Sequence, residues 1–297
     1  VGSGKIDWQL IHPDKNGDWI SHRNSAFDSL IPLNPDKKFD IKAQSVFNTY
    51  VIGVATNRDA WSYNFSEKAL SANMSSMIDF YNAQSAAYKE AVKDNPNLKV
   101  EDFIDTNPQK ISWTVNLKKD LEKKLIHEYN DTIRNGIYRP FCKQSLYYDN
   151  NFIERPGLSS RLFPTPQSKN LVICVNGIGG SKPFGCLISD AIPDLQVMFN
   201  GQCFPMYWYE ENRQTEMTLF DGPNSNRYIR HDGITDWMLH HVQELYRTKN
   251  VTREMIFYYV YGLLHTSGYR EAFETDLRKS LPRLPLPDDV NLFMDIY

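Results

Sequence analysis

The chain lacks any excess of positive charge: 33 Lys and Arg against 36 Asp and Glu in 297 residues leave a formal net charge of −3. No global basic field surrounds it, so contact with a nucleic acid would need charge asymmetry inside the fold or help from neighbouring domains. It also lacks a signal peptide and an apolar run of membrane-spanning length, from which we expect a cytoplasmic protein with no membrane partner. The four cysteines, Cys142, Cys174, Cys186 and Cys203, follow no zinc-ligand spacing. Cys174 lies in an apolar run where a thiol behaves as a small hydrophobe, so all four are read as reduced and structural, with no metal. Internal repeats and low-complexity tracts are missing as well. The first residue is not Met, and Val1-Gly2-Ser3-Gly4 carries no targeting character, which fits a piece cut from a longer chain.

A complete catalytic constellation is the next absence. Gly2-Ser3-Gly4-Lys5 has no strand before it, and Ile6 stands where a phosphate-binding loop needs a hydroxyl. His127-Glu128 lacks the second histidine of a zinc-protease helix. Gly177-Ile178-Gly179-Gly180 follows a strand-like run, but Pro183 interrupts the helix that should receive a pyrophosphate. Ser181 is followed by Lys182-Pro183 rather than by the glycine of a nucleophile elbow. His240, His241 and Asp236 remain as a scattered set from which a self-contained enzyme site could be built.

What the chain does contain is a mixed α+β pattern. Leu171 to Tyr209 is the most apolar stretch and is regularly broken by turn residues, which predicts a central, mostly antiparallel sheet. In it, Leu171–Val175 and Phe184–Ser189 form a hairpin, Val197–Phe199 a third strand, and Cys203–Tyr209 a fourth after the Asn200-Gly201 turn. A strand is expected within Lys42–Val54, and Trp61, Tyr63 and Phe65 alternate as one side of another. Helical spacing runs from Ser66 to Asn95 and again through Leu117, Leu121, Leu125 and Tyr129, closed by Asn135-Gly136. Ile137–Phe141 and Leu146–Tyr148 suggest a strand pair, and Glu210–Asp232 a long contact loop. Thr235, Thr252 and Ser267 open three C-terminal helices. The expected organisation is a helix-rich section over 1–134, a β-rich core over 135–232 and a helical bundle over 233–297. Between Lys110 and Lys143, eight Lys or Arg face four Asp or Glu, a local basic excess able to track phosphates.

Several phrases spread over most of the chain resemble the C-terminal specificity region of Type I single-polypeptide (Type ISP) restriction-modification enzymes. They are Gly17-Asp18-Trp19; Gly53-Val54-Ala55-Thr56-Asn57-Arg58-Asp59-Ala60-Trp61; Tyr138-Arg139-Pro140-Phe141; Lys182-Pro183-Phe184; Gln202-Cys203-Phe204-Pro205; and Ile256 to His265 with Asp276 to Arg283. Thr56-Asn57-Arg58 also looks like the junction where an adenine methyltransferase passes into its target-recognition domain, with Asn57 standing where a glycine is usual. The resemblance implies a non-catalytic target-recognition domain of a longer bacterial enzyme, with double-stranded DNA and the upstream methyltransferase and helicase domains as partners. It implies no cofactor in this chain; S-adenosylmethionine, ATP and Mg would serve the full-length enzyme. Base reading requires planar donors on loops, which directs attention to Arg58, Arg155, Arg161, Asn176 and Lys182. Phosphate positioning is expected of Lys110, Lys118, Lys119, Arg139 and Lys143. An alternative role is an interdomain coupling module that docks on the helicase or methyltransferase and reads no bases.

Overall fold

The computed structural model describes residues 10–180, 182–212 and 227–297; Gly2-Ser3-Gly4-Lys5 and Ser181, weighed above, lie outside them. After a largely irregular opening come β1 (Ile31–Pro32) and β2 (Val51–Ile52), so most of the Lys42–Val54 run is not a strand. Trp61 sits in a short helix, α1 (Asp59–Ser62), and only Tyr63 and Asn64 form β3. The long helix α2 (Glu67–Asp94) begins where Ser66 Oγ accepts the Ala69 amide at 3.2 Å, as an N-cap should. It buries Leu70, Met74, Met77, Ile78, Tyr81 and Tyr88 along one stripe and stops at Asn95, before Pro96.

Two shorter helices follow, α3 (Val100–Phe103) and α4 (Val115–Glu122). The second ends earlier than its apolar spacing predicts, because Lys124 turns to a φ of 61° and the chain leaves the helix there. Asn135 and Gly136, expected to close that helix, instead lie inside β4 (Ile133–Arg139), which pairs with β5 (Cys142–Tyr147). Gly136 fits closely there: a Cβ would lie 3.0 Å from the Tyr63 ring, which would have to shift to admit it.

The apolar stretch supplies β6 (Val172–Val175), β7 (Cys186–Ser189), β8 (Ile192–Pro193), β9 (Gln202–Pro205) and β10 (Tyr207–Glu211). Val197–Phe199 is a turn, not a strand, since Asp194 accepts the Gln196 and Val197 amides and curls the chain. Of the Glu210–Asp232 stretch expected as a loop, residues 213–226 lie outside the described residues. Its first residues complete β10 and its last form β11 (Tyr228–Asp232). The C-terminal part holds α5 (Asp236–Leu245), α6 (Arg253–His265), α7 (Ser267–Ala272), α8 (Glu274–Lys279), β12 (Arg283–Leu284) and α9 (Val290–Ile296), the last unforeseen beyond the prolines. Thr235 and Thr252 cap α5 and α6 as expected, accepting the Met238 and Met255 amides.

These strands make an antiparallel sheet ordered β2-β9-β6-β7, a second ordered β3-β5-β4-β8 with one parallel edge, and two isolated pairs, β1-β12 and β10-β11. The fold is therefore mixed α+β, with mostly antiparallel sheets and helices on either side. Strand β6 is buried at every position, which explains its unbroken apolar run. Its alternate residues serve two cores. Ile173 and Val175 join Phe47, Phe204 and Phe257 beneath the C-terminal helices, while Val172 and Cys174 join Val54, Leu146 and Trp208 toward the second sheet. A third core lies under α2, where Leu117, Leu121, Tyr147 and Phe152 complete it. The two large sheets are tied at one point: the Val54 amide donates to Pro193 and the Leu195 amide to Val54, with Gly53 pressed on the Asp194 backbone.

Candidate nucleic-acid interface

Among the described residues the β10-β11 ribbon pairs with no other strand, and its register runs from Tyr207 opposite Asp232 to Glu211 opposite Tyr228. Its root is fixed from several directions. Asn170 Oδ1 accepts the Tyr207 amide and its Nδ2 donates to the Tyr207 carbonyl at 2.7 Å. Asn48 Nδ2 donates to the Asp232 carbonyl at 2.8 Å. The Gly233 amide donates to Met206 at 2.7 Å, and a Cβ at Gly233 would fall 1.9 Å from the Pro205 carbonyl oxygen, so the close approach needs glycine.

Period-two alternation sorts the ribbon's side chains. One face carries Trp208 stacked on His231, with ring centroids 4.1 Å apart, and this face meets the core. Arg161 lies over Phe39 at 3.7 Å and over Trp208 at 4.8 Å, and its Nε donates to the Tyr209 carbonyl at 3.3 Å. Burial holds its guanidinium below the usual arginine range. The other face carries Tyr207 and Tyr209 opposite Tyr228, Arg230 and Asp232. Arg230 is exposed, its guanidinium 4.3 Å over the Tyr207 ring, and no carboxylate pairs with it among the described residues. Arg227, at the far end, is paired with Glu211 at 3.1 Å. Lys169, whose carbonyl accepts the Tyr209 hydroxyl at 3.2 Å, is exposed beside the ribbon, and Lys38 is exposed with its Nζ 4.3 Å over the Tyr50 ring. Beside the ribbon runs a groove of about 800 Å³ lined by residues that include Arg161, Tyr209, Glu210, Tyr228 and Ile229.

A second basic surface lies on the helical section. Lys99, Lys118, Lys119 and Lys124 line a groove of about 730 Å³ between α2, α3 and α4, with Glu101 and Glu122 among them. Of the expected phosphate contacts, Lys118 and Lys119 thus come together; Lys118 approaches Glu101 only to 3.9 Å. Lys110 stands apart, paired with Asp105 at 2.8 Å, and Lys143 is paired with Asp190 at 2.5 Å.

Two of the expected contacts are taken up inside the protein. Arg58 is only 3% exposed, donates to Thr114 Oγ1 at 2.7 Å and lies over the Phe152 ring. Burial lowers its pKa to about 10, against the opposing pull of Glu154. Arg139 bridges Asp194 at 2.9 Å and Asp59 at 3.3 Å. Asp194 in turn accepts from the Tyr63 hydroxyl, and its burial pushes its carboxyl up to about 6. Asn176 accepts the Gly185 amide at 2.7 Å and so braces the β6–β7 connection. Lys182 and Arg155 are exposed, and neither side chain has a partner among the described residues. The scattered enzyme set is occupied structurally: His241 is stacked on Trp237, and Asp236 is paired with Arg253. Among the described residues no three His, Cys, Asp or Glu side chains are grouped to hold a metal ion, and no helix is long and apolar enough to cross a membrane.

The ribbon itself escaped the sequence reading. Its available signal was the Tyr207/Tyr209 alternation matched by Tyr228 and Arg230, which a search for apolar periodicity passes over.

Residues 45–296 match the family model described as the Type ISP C-terminal specificity domain. No curated protein matches the chain. Among solved structures, a nuclease-deletion mutant of the Type ISP restriction-modification enzyme LlaGI, in complex with a DNA substrate mimic, is similar at 30% identity and a TM-score of 0.77, covering 98% of this chain and 24% of that one. The ATP-dependent Type ISP restriction-modification enzyme LlaBIII bound to DNA is similar at 32% identity and a TM-score of 0.76, covering 97% and 17%. A DrdV–DNA complex is similar at 27% identity and a TM-score of 0.81, covering 98% and 27%. The chain therefore spans between 17% and 27% of the length of these structures.

Proposed function

This chain belongs to the family of Type ISP C-terminal specificity domains, and from that premise we propose that it recognises a specific sequence in duplex DNA as the target-recognition domain of a longer restriction-modification enzyme. The observation that carries the reading is the likeness, over nearly the whole chain, to two Type ISP enzymes described with DNA or a DNA mimic. A family described by specificity favours base recognition over a coupling module that reads no bases. The domain performs no bond chemistry in this reading. It holds the duplex for adenine-N6 methylation and ATP-dependent restriction by accompanying methyltransferase and helicase domains, which would use the S-adenosylmethionine, ATP and magnesium, in the cytoplasm.

The exposed donors Arg155 and Lys182 and the half-buried Asn176 are assigned to base contact, and Lys118 and Lys119 to phosphate tracking, to which Lys110 and Lys143 would contribute only on leaving Asp105 and Asp190. Arg58 and Arg139 support the scaffold, since their guanidiniums are committed internally. Arg161 braces the ribbon.

Salt-dependent selection from a pool of random duplexes tests the reading, using the chain alone and the chain joined to a Type ISP methyltransferase. Enrichment of one adenine-containing motif, weakened in Arg155→Ala or Lys182→Ala variants that remain folded, is the expected outcome. Binding without sequence preference in both preparations would refute it.

A further inference from the structure

The geometry points to the β10-β11 ribbon as the element that enters the major groove, with Arg230 reading a guanine there; this rests on the DNA-recognition reading above. A two-stranded antiparallel ribbon is one of the two protein shapes that a B-form major groove, about 12 Å wide, admits. Among the described residues this ribbon is joined to no sheet beyond its own two strands. Both neighbours of its root, Asn170 and Asn48, clamp backbone rather than side chains, which leaves the outward side chains available.

Arg230 has the properties such a reader needs. It is exposed, no carboxylate pairs with it among the described residues, and its guanidinium is laid 4.3 Å over the Tyr207 ring, which orients the planar fork. A guanidinium so presented fits the O6 and N7 acceptors of guanine in bidentate fashion. Its neighbours suit a groove as well. Tyr209 lies opposite Arg230 and Tyr228 opposite Glu211 on the same outward face, while Glu211 is held by Arg227 at 3.1 Å. Exposed Lys169, whose carbonyl accepts the Tyr209 hydroxyl, stands where a phosphate would flank an inserted ribbon. Arg161, wedged between Phe39 and Trp208 and bonded to the Tyr209 carbonyl, is a positioning residue that sets the ribbon's angle.

The test is random-duplex selection with whichever preparation above binds DNA, comparing the unaltered protein with Arg230→Ala and Lys169→Ala. Arg230→Ala is expected to relax guanine preference at one position of the motif about tenfold or more while leaving the other positions intact. Lys169→Ala is expected to weaken all sequences alike and to flatten the salt dependence. Replacing that guanine by 7-deazaguanine, which lacks the N7 acceptor, should weaken the unaltered protein and leave Arg230→Ala unaffected. A motif unchanged by Arg230→Ala overturns the assignment of the ribbon while leaving DNA recognition standing. No motif from the unaltered protein in either preparation brings down the recognition reading, and the ribbon's role with it.

Discussion

Two regions of this molecule hold arginines and use them in opposite ways. At the junction of the two large sheets, Arg58 and Arg139 are committed to the interior, one to Thr114 and the other to a pair of carboxylates. Rings lie beside all four arginines, Phe152 by Arg58 and Tyr138 by Arg139 as well as Phe39 by Arg161 and Tyr207 by Arg230, but among the described residues no carboxylate pairs with Arg161 or Arg230. The residue type is the same; what lies within reach decides whether the charge holds the fold or faces outward. A carboxylate fixes a guanidinium by consuming it, whereas an aromatic ring orients it and leaves the fork open.

The contrast breaks most sharply at Arg139. Arg139→Ala strands the buried Asp194 carboxylate, and we expect a loss of about 3 kcal/mol at pH 8, reduced near pH 5 where Asp194 can take up a proton; urea melts at the two pH values check this. A variant equally stable at both would show that Arg139 holds no internal charge.

Asp194 itself gives the next effect. Its folded pKa of about 6 is raised above the unfolded value near 3.8, so the folded state binds the proton more tightly. The stabilisation from that proton is fully present below about pH 4 and lost as pH rises through about 6, a change of up to about 3 kcal/mol. Asp194→Asn should flatten the stability profile over that window, as thermal melts across it would reveal.

A smaller loss is expected at the ribbon. Arg161→Ala removes a partly desolvated cation–π contact and one hydrogen bond, together about 1–2 kcal/mol, with faster amide exchange in Tyr207–Glu211 as its signature. Exchange faster throughout the protein would instead make Arg161 a core residue like Arg139. Smallest of all is Arg227→Ala, which breaks an exposed pair with Glu211 and should shift stability by no more than about 0.5 kcal/mol in a denaturant titration.

What could be read in advance follows the range of the interactions involved. The α2 helix was legible because its cap and apolar stripe are local: Ser66 bonds to Ala69, and its buried residues recur every three or four positions. The same holds for Thr235 and Thr252. Val197–Phe199 misled because an apolar triplet looks like a strand, while the deciding group, the Asp194 carboxylate, sits just ahead of it. The fate of Arg58 and Arg139 was out of reach, since Thr114 and Asp194 lie 56 and 55 residues away in sequence. A charge count between Lys110 and Lys143 found a basic surface, yet only the packing of α2 against α4 shows that Lys118 and Lys119 share a groove while Lys110 and Lys143 are each neutralised.

The bond from the Gly233 amide to Met206 means that the chain leaves the body of the protein and returns to it at a single place. Tyr207–Glu211 and Tyr228–Asp232 spring from one doorway whose frame is built by Asn48, Asn170 and Pro205, with Trp208 keeping the inner face of the ribbon in the core. The outward side chains of the ribbon can be exchanged without disturbing the walls around it, whereas Trp208, packed in the core under Phe39 and Arg161, must stay. Descendants of this chain could therefore acquire a new target by replacing Tyr209, Tyr228 and Arg230, and an engineer could do the same while keeping Trp208.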